Sequence, residues 1–87
     1  MQADKVTVTR LLKTARGQID GIIKMIEEDR YCIDISNQLM SADAILRKAN
    51  KEVIRAHMKG CVKQAFENGN EDEKIDELIE IIYKLTK

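Results

Sequence analysis

The chain has 87 residues, 15 basic against 15 acidic side chains, no proline or tryptophan, and only two Tyr and one Phe. So short a chain buries a modest core, so residues 1–87 are expected to act as one helical domain. No stretch approaches the roughly 20 apolar residues of a membrane span, and MQADKVTVTR lacks the apolar centre of a signal peptide. The expected compartment is the cytoplasm, where two cysteines are ligands or reactive thiols rather than a disulfide.

In chain order, the pattern predicts an all-α protein. A first helix begins near Lys5 to Thr7 and runs to about Asp29, with Val8, Leu12, Ala15, Ile19, Ile22 and Ile26 alternating steps of four and three. Leu11, Ile23 and Met25 broaden that stripe. Gly17 and Gly21 interrupt it at about 1 kcal/mol each relative to Ala; they mark either a close backbone approach or tolerated surface positions. The charged run EEDRYC is the break, with Asp34 or Ser36 as the cap of the next helix. The second helix spans about Ile33 to Phe66, and Ile35, Leu39, Ala42, Leu46, Ala49, Val53 and Ala56 repeat the alternation. One short first helix cannot cover so long a rod, so a second protomer is expected to. ENGNEDEK reads as a loop, and a third helix follows from Lys74 to about Leu85, with Ile75, Leu78, Ile79, Ile82 and Leu85 as its apolar face.

The neutral total hides a division. Through Lys63 there are twelve Lys or Arg against eight Asp or Glu, a balance of +4; from Gln64 onward there are three against seven, a balance of −4. Arg10, Lys13 and Arg16 on the first helix, and Arg47, Lys48, Lys51, Arg55 and Lys59 on the second, suit contacts to phosphates or are solvated helix faces, the commoner meaning of charge alone. Charge alone supports no sequence readout, because no known DNA-reading motif accompanies it. Nothing resembles a nucleophile–base arrangement, a phosphate loop or paired hydrolytic carboxylates, so the chain is not expected to be an enzyme.

Three residues carry metal chemistry. His57 is the only histidine, and Cys61 follows four residues later in HMKGC, which puts both on one helix face one turn apart. With Cys32 they make two thiols and one imidazole, a set that suits Cu(I) and falls one short of a closed structural zinc site. Each alone is more often an inert core or surface residue. Cys32 and the pair are some 37–40 Å apart along a straight helix by its rise. Two antiparallel copies would bring them together, giving two sites per dimer.

RGQIDGIIKMIEEDRYCIDISNQL in the first half and HMKGCV in the second resemble the copper-sensing transcriptional repressor family, which is related to nickel/cobalt-, formaldehyde- and persulfide-sensing repressors. Cys32, followed after 24 residues by His57-x-x-x-Cys61, is similar to that family's copper-type ligand set. The resemblance implies an antiparallel four-helix-bundle dimer, paired again into a tetramer. It implies Cu(I) held by Cys32 of one subunit and His57 and Cys61 of the other. Tyr31 and Glu77 would support the site and join it to the third helix. It also implies that the metal-free protein holds operator DNA through Arg10, Lys13, Arg16 and Lys48 and releases it on Cu(I) binding. The chain departs from many relatives in having Leu11, where they carry Arg before the leucine that is Leu12 here. Two other readings stay open: a persulfide or thiol sensor working through Cys32 and Cys61, and a copper buffer or chaperone that binds no DNA.

Overall fold

The computed structural model describes residues 1–69 and 71–86, the side chains of residues 71, 85 and 86 excepted. Asn70 of the expected loop and the Leu85 side chain of the expected third-helix face lie outside the described residues. Three helices follow one another, α1 (Lys5–Glu27), α2 (Cys32–Asn68) and α3 (Glu71–Thr86). The chain divides into two compact units: Asp4–Glu52 forms one, and Met1–Ala3 with Val53–Lys87 forms the other. α2 runs through both without a break.

The Asp4–Glu52 unit is a helical hairpin. Asp4 opens α1 as its N-cap: its carboxylate accepts the N–H groups of Val6 and Thr7, each at 3.3 Å, and the Thr7 hydroxyl at 2.6 Å. These bonds satisfy donors that an α-helix leaves unpaired at its start, and they hold the Asp4 carboxyl below its usual range, the Thr7 hydroxyl contributing most. α1 ends where Asp29 takes a positive φ of 52°. The Arg30 N–H then reaches back to Met25 O at 3.0 Å and the Asp29 N–H to Ile26 O at 3.1 Å, the paired bonds of a Schellman stop. Asp is among the few non-glycine residues that tolerate this conformation, so the chain turns here without a glycine. α2 begins at Cys32, which places Asp34 inside its first turn rather than at the cap, and Ser36 deeper still. Asp34 there favours the positive end of the helix dipole without capping it.

Within the hairpin the expected stripe separates into two rows. Val8, Ala15 and Ile22 of α1, seven apart, are buried, as are Ala42 and Ala49 of α2. The alternate row stays outside: Leu12 is 46% exposed, Ile19 43%, Leu39 53% and Leu46 43%. A three-four alternation is two adjacent heptad rows, and one neighbouring helix of small residues covers only one of them. Beyond the local backbone of α1, an added Cβ at Gly17 or Gly21 meets no atom of the described residues within 4 Å, so no close approach among them explains these glycines.

In the other unit, α2 stops at Gly69, whose φ of +69° suits glycine, and its N–H bonds Ala65 O at 2.9 Å. α3 starts three residues earlier than the expected Lys74, because the acidic run that reads as loop is stabilised in a first helical turn by the dipole. Its expected apolar face also shifts. Leu78 is half-buried, but Ile75, Ile79 and Ile82 are exposed, and the half-buried side is Lys74, Glu77, Leu78 and Ile81. A polar cluster on that side accounts for the change.

Candidate metal centre

The cluster is built on the second half of α2 and on α3. Helical spacing puts His57 and Cys61 on one face of α2, and Cys61 Sγ lies 3.2 Å from His57 Nε2. α3 contributes Glu77, whose Oε1 is 2.8 Å from the same ring nitrogen and 3.9 Å from the Cys61 sulfur. Lys74, one turn before Glu77, donates to Oε2 at 3.5 Å. Cys61 is buried; His57 and Glu77 are half-buried. The His57 contact is the main cause of a lowered Glu77 carboxyl; burial opposes it and Lys74 assists. Beside His57 lies a cavity of about 420 Å³, lined by Met1, Gln2, Val53, Ile54, His57 and Ile81. Gly60, between His57 and Cys61, leaves room for Gln2, whose side chain would sit 3.2 Å from an added Cβ.

The other expected site residues lie in the hairpin unit. Cys32 is the first residue of α2, exposed and with a free thiol, and Tyr31 just before it is 67% exposed. Arg10, Lys13, Arg16 and Lys48 are all exposed. Arg10 and Lys13 line an open concavity on α1 together with Lys5, Val6, Thr9 and Thr14. Leu11, where many relatives are expected to carry Arg, is half-buried. Residue reading alone missed Lys74 and Ile81. Their signal was the i, i+3 and i, i+4 spacing around Glu77 on the side of α3 facing the polar pair.

The donors suit copper chemistry. A cysteine sulfur and an imidazole nitrogen 3.2 Å apart are the donor types that a soft, low-coordinate ion prefers. Fold and site together thus define a helical protein with a soft-metal donor pair. The chain belongs to the metal-sensitive transcriptional repressor family, whose pattern matches residues 4–84; this is a family of repressors rather than a class of enzymes. It is 42% identical over 71 residues to the copper-sensing transcriptional repressor CsoR of Mycobacterium ulcerans, a match covering 82% of this chain and 61% of that protein. To CsoR of Bacillus subtilis it is 34% identical over 84 residues, covering 97% and 83% respectively. The solved structure of CsoR with Cu(I) from Geobacillus thermodenitrificans aligns with a TM-score of 0.85 at 31% identity, over 100% of this chain and 94% of that one. The nickel-responsive regulator InrS shares the fold, with a TM-score of 0.86 at 24% identity over 98% and 96%.

Proposed function

We propose that the chain is a Cu(I)-responsive transcriptional repressor of the cytoplasm, acting as one sensing and DNA-binding piece that holds operator DNA when metal-free and releases it on binding Cu(I). The observation that carries this reading is the His57–Cys61 donor pair, set one helical turn apart at 3.2 Å. Relatives named as copper sensors, one of them solved with Cu(I), support the choice of metal. The imidazole also favours copper over the thiol-sensing reading, since persulfide capture by Cys32 and Cys61 needs no ring nitrogen.

Cys32 is the proposed third ligand, supplied by a second copy. α2 is helical from Cys32 to Asn68, and a continuous helix cannot fold its first residue back onto residues 57 and 61. The exposed row of Leu12, Ile19, Leu39 and Leu46 is the surface proposed to join copies into a dimer and then a tetramer. Tyr31 and Glu77 support the metal from outside it, as partners of ligating histidines commonly do. Arg10, Lys13, Arg16 and Lys48 contact the DNA backbone, so their loss should flatten the salt dependence of binding.

The test is an anaerobic Cu(I) titration with and without an operator fragment, on wild type and His57→Ala. Wild type should bind one Cu(I) per chain and lose DNA affinity by a coupling of about 1–3 kcal/mol, reciprocal between the two ligands. His57→Ala should keep DNA binding and a weaker two-thiolate copper complex while losing most of the coupling. Equal release of DNA by both proteins would make His57 a ligand only. Failure of wild type to bind DNA at low salt would replace the repressor with the buffer.

A further inference from the structure

The junction between α2 and α3 carries a chemistry that the metal donors do not use. Asn68 is the last residue of α2, and Gly69 follows it. Asparagine is a thermolabile residue, and its weakness is a side-chain carbonyl carbon that the next residue's backbone nitrogen can attack. A Cβ on that next residue obstructs the approach. Gly69 has none, and its φ of +69° lies in a region that glycine enters without steric cost. Asn68 is exposed, so water and base reach it.

One bond restrains the nitrogen. The Gly69 N–H donates to Ala65 O at 2.9 Å, at the point where α2 stops. Helix ends fray, and their bonds open at the lowest cost in a structure. Asn37 and Asn50 are also exposed on α2. Each of these lies in the helix interior, with Gln38 and Lys51 as the residues that follow. They therefore have both the neighbouring Cβ and the continued hydrogen-bond ladder that Asn68 lacks. A single helix thus holds the vulnerable asparagine and its two controls.

We infer that Asn68–Gly69 is a self-modifying site, at which the chain deamidates and so weakens its own α2–α3 junction. Opening of the last turn frees the Gly69 nitrogen, which gives up its proton to base and bonds to Asn68 Cγ. The Cγ–Nδ2 bond breaks, and the side-chain nitrogen takes a proton and leaves as ammonia. Water then opens the cyclic imide at either carbonyl. One opening gives aspartate. The other gives isoaspartate, in which the main chain runs through the former side-chain methylene.

Both products place a new negative charge at the negative end of the α2 dipole. Glu67 precedes it and Glu71, Asp72 and Glu73 follow in sequence, while the last turn of α2 holds no basic residue to offset it. Isoaspartate also lengthens the main chain where only residues 69 and 70 join the two helices. α3 holds Glu77 Oε1 at 2.8 Å from His57 Nε2, so a displaced α3 is felt at that contact.

The test incubates the reduced, metal-free chain at mildly alkaline pH and follows each asparagine by peptide mass spectrometry. Labelling with isoaspartyl methyltransferase separates isoaspartate from aspartate. Asn68 should convert at least about tenfold faster than Asn37 or Asn50, because a terminal opening costs less than an interior one. Unfolding in urea should speed all of them and the interior pair most, narrowing the gap. Asn68→Gln, whose extra methylene demands a larger ring, should suppress conversion at that position. The isoaspartate form, isolated by ion exchange, should show faster amide exchange at Gly69 and a displaced His57 ring resonance. Asn68→Asp, which adds the charge without rerouting the chain, should show the same exchange change at smaller size. Equal conversion at Asn37, Asn50 and Asn68 would overturn the site. An isoaspartate form that matches wild type in both readouts would overturn its effect on the junction.

Discussion

The Asp4–Glu52 hairpin and the Val53–Lys87 unit share one helix but keep different things inside. The hairpin buries Val8, Ala15, Ile22, Ala42 and Ala49, small or branched apolar residues whose only demand is close packing. The second unit buries Cys61 and Ala65 and gathers His57, Glu77 and Lys74, groups that need polar partners once desolvated. Its interior is thus less apolar, while its chemistry is richer. The hairpin has the opposite bias: its inner row is buried within the chain, and its outer row of Leu12, Ile19, Leu39 and Leu46 is exposed. Along α2, the first half carries the exposed apolar row proposed for assembly and the second half carries the donors proposed for metal. A ligand set shared between copies would make each depend on the other, because Cys32 lies in the assembling half and His57 and Cys61 in the other.

The largest expected effect breaks the hairpin's outer surface. Leu46→Glu places a charge on the exposed row without touching the inner one. Burying a leucine is worth about 1.5–3 kcal/mol, and in a two-fold interface the change counts twice. The dimer constant should weaken by at least about 100-fold, read by sedimentation at several concentrations, with helicity little changed. Oligomers as tight as wild type would show that the outer row is merely solvated.

Next comes the hairpin's inner row. Ala15 is 2% exposed, so Ala15→Leu overfills a site that has no space, at about 1–3 kcal/mol. The midpoint of thermal unfolding should fall by several degrees. The chemical shift of the His57 ring should stay as in wild type if the polar cluster is organised by its own unit. A His57 shift as large as the hairpin's would mean that the two regions are not separable in the way drawn above.

These two substitutions also mark what the sequence could reveal. The three-four alternation made the three helices legible, since buried faces follow the helical period. It could not say which of two adjacent rows meets the chain's own helix, because Leu12 and Ala15 fit the period equally well. The size of the residues held the clue: alanines dominate the covered row of α2. The His57–Cys61 pair was legible from spacing alone. Glu77 was not, because it lies 20 residues from His57 across a break whose geometry no periodicity encodes. It was named only through the resemblance to a known family. The stop after α1 was placed two residues late, because Asp29 occupies a conformation usually signalled by glycine.

That stop gives a smaller and opposite test. Asp29→Gly relieves a left-handed backbone position at φ 52° and should stabilise the hairpin by about 1 kcal/mol or less, since an L-residue pays a steric penalty there that glycine does not. Denaturant unfolding monitored by helicity reads the gain. A loss would mean that the Asp29 side chain contributes more to the turn than its backbone costs.

The smallest effect lies at Asp4, where the hairpin begins. Its carboxyl is lowered from the ordinary value of 3.8, chiefly by the Thr7 hydroxyl and then by the Val6 N–H. A carboxyl whose folded-state value is depressed stabilises the fold in its ionised form. The stabilisation is therefore full above about pH 3.8 and fades as the pH drops through the lower folded value. Asp4→Ala removes it, so the variant should be slightly less stable than wild type at neutral pH, and the gap should close below pH 3.8, not widen. Because the cap serves only the first turn of α1, amide exchange should quicken at Val6 and Thr7 and stay unchanged around His57 and Cys61. A gap that persists into strong acid would show that Asp4 acts through its shape rather than its charge. Faster exchange at the polar cluster would show that the two regions are coupled through the chain's first residues.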